Sequence, residues 1–285
     1  MGVEFGRIYL EITNCCNLRC SFCPGTRRPA RFLSEEEFAF LAGRLRGCTR
    51  FLYLHVMGEP LLHPALGALL EICRTLEFRV VLTTNGTLLP ARQAELLSAP
   101  ALHKLSISLH SLEANAPAGM QAYLSGCVDF AQAARRQGII TDFRLWNLNG
   151  AHTVGQNAQN GAILAFLHEA FPEPWQKNTW GWRLGERTFV HFAEKFDWPD
   201  PEKPDHGASG RCRALSDQLA VLCDGTVVPC CLDAEGRMAL GNLFESSLEE
   251  ILAAEPAAGM RAGFAHGVRT QPLCRRCGFS TRFSG

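Results

Sequence analysis

The sequence has no excess of charge of either sign and no long apolar run. Its 28 basic and 28 acidic side chains give a formal net charge of zero, which argues against a nucleic-acid or anionic-membrane partner, because such partners attract strongly basic surfaces. No apolar run approaches the roughly 20 residues needed to span a bilayer, and no signal segment is apparent at the N-terminus. We therefore expect a cytoplasmic protein that binds no membrane and no nucleic acid.

The composition also argues against disorder and against a disulfide framework. Hydrophobic residues make up 47% of the 285-residue chain and charged residues 20%, values that are ordinary for a globular protein with a sizeable core. The 13 cysteines are an odd number, and the chain is well above the size at which disulfides substitute for a core. The cysteines are therefore expected to be reduced thiols, which are available as metal ligands.

The densest cysteine segment follows a short alternating run, residues 7–13, that predicts a strand. Cys16, Cys20 and Cys23 have the spacing Cys-x3-Cys-x2-Cys, which allows three thiolates to converge on one iron-sulfur cluster. Three ligands for a four-iron cluster leave one iron open to a substrate or cofactor. A zinc knuckle is the alternative, and Cys15 stays open as a substitute for Cys16.

Residues 13–25 resemble the signature of the radical S-adenosylmethionine (radical SAM) superfamily. The resemblance implies a [4Fe-4S] cluster whose open iron is chelated by S-adenosylmethionine, with Phe22 contacting the adenine. It also implies an electron donor such as a flavodoxin or ferredoxin. In that family an electron from the cluster cleaves S-adenosylmethionine and releases a 5′-deoxyadenosyl radical.

Strands and helices alternate through the first 150 residues. This pattern predicts βαβ units and a parallel sheet, and the resemblance implies a partial (β/α)6-type barrel. The predicted strands are 7–13, 51–57, 78–84, 104–110 and 140–147, and the predicted helices are 34–46, 65–76, 90–98 and 119–137. A helix from Asn157 to Phe171 and a sixth strand at residues 187–192 are expected to follow.

The distinctive residues fall where strands end, so we expect them to lie on one rim of the sheet. The resemblance implies that Glu59 binds the amino group of S-adenosylmethionine, with Met57 standing where relatives have the first glycine of a Gly-Gly-Glu segment. Other residues on the rim are expected to bind the cofactor as well: Gly58, Asn85, Ser108 for the ribose, and Arg144 for the methionyl carboxylate.

Two further residues are catalytic candidates on this rim. His110 stands where many relatives have Asp in a Leu-Asp-Gly segment, which indicates a substrate contact or a titratable group of its own. Asn147, near the end of the fifth strand, is the weaker candidate, because sheet residues of this kind are more often satisfied within the fold.

A second cysteine set occupies the C-terminal quarter, where residues 219–222 and 226–228 predict a hairpin around Asp224-Gly225. The spacing Cys212-x12-Gly225-x4-Cys230, followed after a gap by Cys274-x2-Cys277, resembles that of a SPASM domain, which carries an auxiliary iron-sulfur cluster. The resemblance implies one cluster, as in the short twitch form, because Phe283 stands where a second cluster would need a cysteine. The implied ligands are Cys212, Cys230, Cys274 and Cys277, with Cys223 and Cys231 as alternatives at the upstream positions. Structural zinc is the other occupant that four thiolates would suit.

Some peptide-oxidising relatives carry an acidic proton acceptor directly after the second of these cysteines. In this chain that position is Cys231, and the nearest acid is Asp233, which becomes the third catalytic candidate. A redox-neutral reaction or a different base stays open.

We divide the chain into a barrel at 1–195, a linker at 196–211 and a small cysteine-rich α+β domain at 212–285. The interval before the linker carries Trp175, Trp180, Trp182 and Trp198. A packing cap that seals the barrel or the domain joint is expected there, with a lid over the substrate as the alternative.

The resemblance implies an oxidoreductase or lyase that abstracts a hydrogen atom from an unidentified small molecule or peptide. The alternatives are a peptide or protein maturase of the sulfatase-maturase type, a lyase acting on a modified nucleobase, and a zinc-binding scaffold without enzymatic activity. No peptide-recognition segment precedes the barrel, so a small compact substrate is at least as well supported as a leader-bearing peptide.

Overall fold

The computed structural model describes residues 4–112, 119–148 and 157–283. Strands and helices alternate as the sequence predicts. The first half contains β1 (Arg7–Leu10), α1 (Glu35–Leu45), β2 (Phe51–Tyr53), α2 (Leu66–Thr75), β3 (Arg79–Thr84), α3 (Leu89–Leu97), β4 (Leu102–Ser108), α4 (Met120–Arg136) and β5 (Ile140–Leu148). The second half contains α5 (Ala158–Ala170), β6 (Gln176–Asn178), β7 (Gly181–Gly185), β8 (Thr188–Glu194), β9 (Gln218–Val221), β10 (Thr226–Val228), β11 (Gly241–Asn242), α6 (Leu248–Ala253), α7 (Ala257–Ala265) and α8 (Pro272–Arg275).

Within the described residues the strands form one sheet in the order β11-β10-β9-β1-β2-β3-β4-β5-β8-β7-β6. The run β1-β2-β3-β4-β5-β8 is parallel throughout. Parallel neighbours require crossover connections, and helices supply most of them. The α/β class and the partial barrel of six parallel strands are therefore confirmed. No helix in the described ranges is both long and apolar enough to cross a membrane.

The two faces of the sheet bury different side chains because strand residues alternate. Ile8 and Leu10 of β1 pack into the main core. Tyr9, between them, points to the opposite face, where it meets Tyr53 at a ring-centroid distance of 4.9 Å. This inner face of the partial barrel, which we call the lumen, also carries Arg144 of β5.

The C-terminal segment continues the barrel sheet. Strand β9 pairs in parallel with β1, from Arg7 opposite Gln218 to Leu10 opposite Val221. The predicted hairpin is confirmed as β9 and β10, and Gly225 in its turn has a φ of 84° that favours glycine. The cysteine-rich segment is thereby attached to the strand that precedes the first cysteine loop.

Residues 171–200 contain more strand than the sequence predicts. The sixth parallel strand is present as β8, and the antiparallel strands β6 and β7 extend the sheet beyond it. Trp175 stacks on His168 with ring centroids 3.6 Å apart and packs against the core, whereas Trp180 is 69% exposed. Trp198 donates from Nε1 to the carbonyl of Phe22 at 3.1 Å, so the segment after the barrel contacts the first cysteine loop.

One buried amide pair fixes the end of β5 to α5. Asn147 and Asn160 exchange two hydrogen bonds, each from Nδ2 to the partner's Oδ1 at 3.0 Å. Both residues are almost fully buried, at 1% and 0% exposure. The pair therefore satisfies two side chains that would otherwise be costly to bury.

Replacing Asn160 by Ala is expected to destabilise the fold by about 1–3 kcal/mol, because it leaves the buried amide of Asn147 without its partner. Asn147→Ala should have a similar effect, and the double variant should lose less than the sum of the two. Urea unfolding of the four proteins measures these differences. Fully additive losses would contradict the pairing.

Candidate functional site

The first cysteine loop is closed at its base by hydrogen bonds between its two ends. Thr13 forms an antiparallel bridge with Phe32. Asn14 donates from Nδ2 to the carbonyl of Pro29 at 2.8 Å, and its Oδ1 accepts from the backbone N–H of Arg31 at 2.8 Å. The loop that carries the cysteines therefore begins and ends at one fixed point beside the end of β1.

The four cysteines of the loop differ in their surroundings. Cys16 and Cys23 are exposed and Cys20 is half-buried, while the Sγ of Cys23 lies 3.8 Å from the Sδ of Met57. Cys15 instead anchors the backbone: its N–H donates to Thr13 Oγ1 at 3.0 Å, and its carbonyl accepts from the N–H of Glu59 at 2.7 Å. The three remaining thiols form a soft donor set that fits a cluster with one open iron. The backbone bonds of Cys15 do not involve its thiol, so the assignment of Cys16 rather than Cys15 as the ligand stays a prediction.

The glycine after Met57 allows the next turn to touch the cysteine loop. Gly58 has a φ of 77°, and a Cβ on it would lie 2.5 Å from the carbonyl oxygen of Thr13 and 2.8 Å from that of Cys15. A larger residue is therefore excluded on both conformational and steric grounds. Met57, at the preceding position, is 5% exposed, and its Sδ lies against the thiol of Cys23.

The carboxylate of Glu59 is buried and holds the ends of two strands together. Oε1 accepts from the N–H of Leu61 at 3.0 Å and from Thr84 Oγ1 at 2.7 Å, and Oε2 accepts from the N–H of Asn85 at 2.7 Å. Burial raises the pKa of Glu59, while these three donors oppose the shift. Glu59 thus has a structural role alongside the ligand role predicted for it.

Asn85 links the turn after β3 to the cysteine loop. Its Nδ2 donates to Asn17 Oδ1 at 2.8 Å, and Asn17 Nδ2 donates in turn to Thr87 Oγ1 at 2.8 Å. Asn17 lies directly after Cys16 in the sequence. The loop is therefore held against the carboxyl end of β3 as well as that of β2.

A buried carboxylate that the sequence analysis missed lies beneath the loop. Glu11 is fully buried and accepts from Arg28 Nη2 at 2.7 and 2.8 Å, from the N–H of Met57 at 3.1 Å and from the N–H of Cys223 at 3.1 Å. The signal available in the sequence was an acidic residue within an apolar strand directly before the cysteines.

Phe22 and His110 meet above the lumen. Their ring centroids are 4.9 Å apart, which brings the aromatic of the cysteine loop against the turn after β4. His110 is 6% exposed, and its Nδ1 lies 3.0 Å from the carbonyl of Arg144. Burial lowers the pKa of His110 to about 4. Because a carbonyl only accepts, the neutral ring donates from Nδ1–H, and its Nε2 is an acceptor.

Arg144 forms no ion pair with a carboxylate among the described residues, although the charge of Asp142, two residues earlier on β5, acts on it. Its guanidinium lies 3.4 Å from the ring centroid of Trp146, and its Nη1 donates to Thr83 Oγ1 at 3.3 Å. Its Nε is buried without a hydrogen-bond partner in the described parts of the chain, and burial lowers its pKa. Ser108 is the register partner of Arg144 on β4, so both predicted ligands lie at one level of the barrel.

A group of titratable side chains deeper in the lumen was not predicted from the sequence as a site. Tyr9, Tyr53 and His55 pack with ring centroids 4.9–5.8 Å apart. The Tyr9 hydroxyl lies beside the thiol of Cys231, whose pKa is raised by burial to about 11. Burial lowers the pKa of His55 to about 3, and its Nδ1 has no partner among the described residues. These side chains lie near Arg144, whose charge acts on Tyr53, His55 and Cys231.

The second cysteine set forms around Cys212. Cys274 and Cys277 are buried, and Cys212 and Cys230 are half-buried. Burial, together with the neighbouring Cys212 and Cys277, raises the pKa of Cys274 to about 12. Across residues 4–112, 119–148 and 157–283, no group of three His, Cys, Asp or Glu side chains has the arrangement of a single-ion metal site. The donors are all thiols, a set that fits an iron-sulfur cluster.

The two alternative cysteines make contacts outside that group, although Cys231 is also the neighbour of Cys230. Cys223 contacts the guanidinium of Arg28, with Sγ 3.6 Å from Nη1, and Cys231 faces Tyr9 in the lumen. The structure therefore groups Cys212 and Cys230 with Cys274 and Cys277.

Two of the catalytic candidates, Asp233 and Asn147, use their polar side chains in hydrogen bonds within the fold. Asp233 is 2% exposed and accepts from the N–H of Arg237 at 2.9 Å and of Met238 at 2.7 Å, which closes the turn whose Met238 Sδ lies 3.5 Å from Cys274 Sγ. Asn147 has its amide paired with Asn160. Their catalytic roles remain predictions, and these contacts give no support to them.

The Radical SAM superfamily profile matches residues 10–153, about half of the chain. The chain belongs to the radical SAM superfamily. A second profile, the SPASM iron-sulfur cluster-binding domain, matches residues 212–278. A radical SAM domain implies a [4Fe-4S] cluster and S-adenosylmethionine, and the SPASM domain implies further iron-sulfur binding. The thiol sets in the two segments fit both.

The chain is similar in sequence or in structure to several known proteins. It is 33% identical to a GTP 3′,8-cyclase of Chlorobaculum tepidum over 118 residues, covering 39% of this chain and 36% of the relative. The curated relatives are matched over 31–60% of their own length. Among solved structures, BtrN with AdoMet and 2-DOIA has a TM-score of 0.55 at 17% identity, covering 97% of this chain and 94% of BtrN. Streptococcus suis SuiB with its precursor peptide SuiA has a TM-score of 0.63 at 14% identity, covering 96% and 71%. These structures show the shared fold.

Glu11→Gln is expected to destabilise the protein by about 3–5 kcal/mol, because it removes the charge of a fully buried carboxylate and leaves the guanidinium of Arg28, whose side chain is 11% exposed, without its counter-charge. The matched control is Glu77→Gln, whose partner Arg46 lies 2.9 Å away with both side chains exposed. The control change should lower the free energy of unfolding by less than about 1 kcal/mol. Urea unfolding of the three proteins decides the point, and equal losses in both variants would contradict the role of Glu11.

The lowered pKa of His110 makes stability depend on pH in a defined window. The unfolded ring, with its ordinary pKa of 6.5, takes up a proton before the folded one does at about 4. The stability due to neutral His110 is therefore complete above about pH 6.5 and is lost as pH falls towards about 4. His110→Asn keeps a donor near Arg144 but does not titrate. Between pH 6.5 and 4, the free energy of unfolding of this variant should fall by about 1–3 kcal/mol less than that of the native protein. An equal fall in both proteins would contradict the prediction.

Proposed function

We propose that this chain reductively cleaves S-adenosylmethionine and abstracts a hydrogen atom from a small molecule or peptide that binds in the lumen. The reaction class is oxidation, rearrangement or lyase chemistry on that substrate. A low-potential electron donor such as a flavodoxin or ferredoxin supplies the electrons. When bound, the cofactor and its cluster supply a 5′-deoxyadenosyl radical.

The observation that carries the proposal is the way the cysteine loop is fixed to the ends of successive strands. Gly58 touches the backbone of the loop after β2, Asn85 binds Asn17 after β3, and His110 packs on Phe22 after β4. Three thiols in a folded scaffold could bind a metal without these contacts. Their combination supports the proposal that the open side of the cysteine set faces the lumen, where the reaction would take place.

We assign the cofactor contacts by position and chemistry. Phe22 offers its ring to the adenine and Ser108 its hydroxyl to the ribose. Arg144 is the natural partner of the methionyl carboxylate, because it is a guanidinium with a free Nε–H and no ion-pair partner among the described residues. Glu59, Met57 and Gly58 form the turn that faces the amino group, and Asn85 holds that turn against the cysteine loop.

The substrate is expected to bind against Tyr9, Tyr53, His55 and Cys231. These residues combine aromatic faces with hydroxyl, imidazole and thiol groups, a lining typical of small polar ligands. The neutral state of His110 gives it an acceptor at Nε2, suited to a hydroxyl or amide N–H. GTP 3′,8-cyclase and SuiB, by their names, concern a nucleotide and a precursor peptide, so both small-molecule and peptide classes belong in a substrate screen.

Cys16→Ala and Cys20→Ala should abolish release of 5′-deoxyadenosine from S-adenosylmethionine under dithionite, because each removes a ligand of the first cluster. The matched control is Cys15→Ala, which deletes a neighbouring thiol while keeping the backbone bonds that Cys15 makes to Thr13 and Glu59. We expect the control to retain its rate within a few-fold. Anaerobic assays with quantification of 5′-deoxyadenosine measure all three.

Unchanged release in Cys20→Ala would overturn the proposal. Loss of release in Cys15→Ala with retention in Cys16→Ala would instead exchange the two assignments.

A further inference from the structure

A buried arginine without an acidic partner lies beside the second cysteine set. Arg269 is 2% exposed, and in the described residues no carboxylate forms an ion pair with it. Asp205, on the neighbouring segment, pairs with Arg275 and Arg276 instead. A buried cation normally requires a counter-charge, because removal from water costs several kcal/mol. The protein supplies none here from its carboxylates.

The guanidinium is held in place by neutral groups. Nη1 donates to Ser280 Oγ at 2.6 Å, and Nη2 donates to the carbonyls of Ser209 and His206. Nε is buried and has no partner in the described part of the chain. The Nε–H of the Arg269 guanidinium is therefore available to donate a hydrogen bond to a bound group.

The same guanidinium lies against the residues that carry the cysteines. Gly210, two positions before Cys212, has a φ of 150°, and a Cβ on it would lie 3.0 Å from Cζ and Nη2 of Arg269 and 3.1 Å from Nε. Ser280, which accepts from Arg269, itself donates to the carbonyl of Cys277 at 2.7 Å. Arg269 therefore lies against the backbone before Cys212 and is linked to the backbone of Cys277 through the side chain of Ser280.

Its position is fixed by backbone pairing. The N–H of Arg269 donates to the carbonyl of Ala208 at 2.6 Å, and the N–H of Gly210 donates to that of Gly267 at 2.8 Å. These bonds align residues 208–210 with residues 267–269 and hold Arg269 beside the segment that leads to Cys212.

We propose that Arg269 is the internal counter-charge of the auxiliary iron-sulfur cluster and raises its reduction potential. A cluster held by four thiolates is a net anion, and reduction adds one more negative charge. A buried cation therefore stabilises the reduced form more than the oxidised form, because net charge and hydrogen bonding set such potentials. Gly210 keeps the space that the guanidinium needs. The inference rests on the cluster implied by the SPASM domain and not on the substrate chemistry proposed above.

The test is a reductive titration followed by EPR, in a Cys16→Ala/Cys20→Ala/Cys23→Ala background that leaves only the auxiliary cluster. Arg269→Gln should lower the midpoint potential by at least the equivalent of a tenfold change in the equilibrium constant, about 59 mV for one electron. Arg269→Lys should keep most of the wild-type value, because it keeps the charge. The control is Arg275→Gln, which removes an exposed, paired arginine directly after Cys274 and should leave the potential unchanged.

Each result decides the point. An unchanged potential in Arg269→Gln overturns the proposal. If Arg269→Gln fails to assemble the cluster while Arg269→Lys assembles it, the counter-charge role is supported, whereas failure of both shows a packing role and overturns it. Iron and zinc analysis of the background protein distinguishes failure of this inference from failure of the proposed function. Zinc at this site would overturn the role of Arg269, whereas the 5′-deoxyadenosine assay of the native protein tests the proposed function independently.

Discussion

The carboxylate of Glu11 is the constraint on which the arrangement of the site depends. It lies at the end of β1, fully buried, and accepts hydrogen bonds from three separate segments: Arg28 of the cysteine loop, Met57 of the next turn and Cys223 of the C-terminal hairpin. A buried charge is tolerated only when it is fully paired. Each of the three segments must therefore be folded for the others to be stable. The first cysteine loop, the turn that contains Met57 and the C-terminal hairpin thus form one unit.

This unit also explains why two cysteine sets that are far apart in sequence belong to one protein body. Strand β9 extends the sheet at β1, and the turn after Cys230 returns to the first loop. There Arg28 donates from Nε to the carbonyl of Ala234 at 2.7 Å, and the N–H of Arg27 donates to Glu235 Oε1 at 3.1 Å. Contacts of this kind make the C-terminal segment part of the wall of the site. The lumen thiol of Cys231, adjacent to Cys230, is a direct consequence of that arrangement.

Local patterns in the sequence were enough to predict the barrel strands and most helices. Ser34 and Glu37 form the capping box that begins α1, and alternation of apolar and polar residues predicted the strands. The cysteine spacings identified both thiol sets. Contacts between distant residues could not be read in the same way: Glu11 looks like an ordinary strand residue until Arg28 and Cys223 are folded against it, and Asn147 looks like a rim residue until Asn160 pairs with it. The short strands β6 and β7 were missed because their stability comes from pairing with β8 rather than from their own sequence.

The central claim is that both thiol sets bind iron-sulfur clusters in one folded unit. The most direct measurement is the iron, sulfide and zinc content per chain after anaerobic reconstitution, for the native protein and for a Cys274→Ala/Cys277→Ala variant. The account predicts about eight irons in the native protein and about four in the variant. Zinc alone, with no sulfide in either protein, would contradict it.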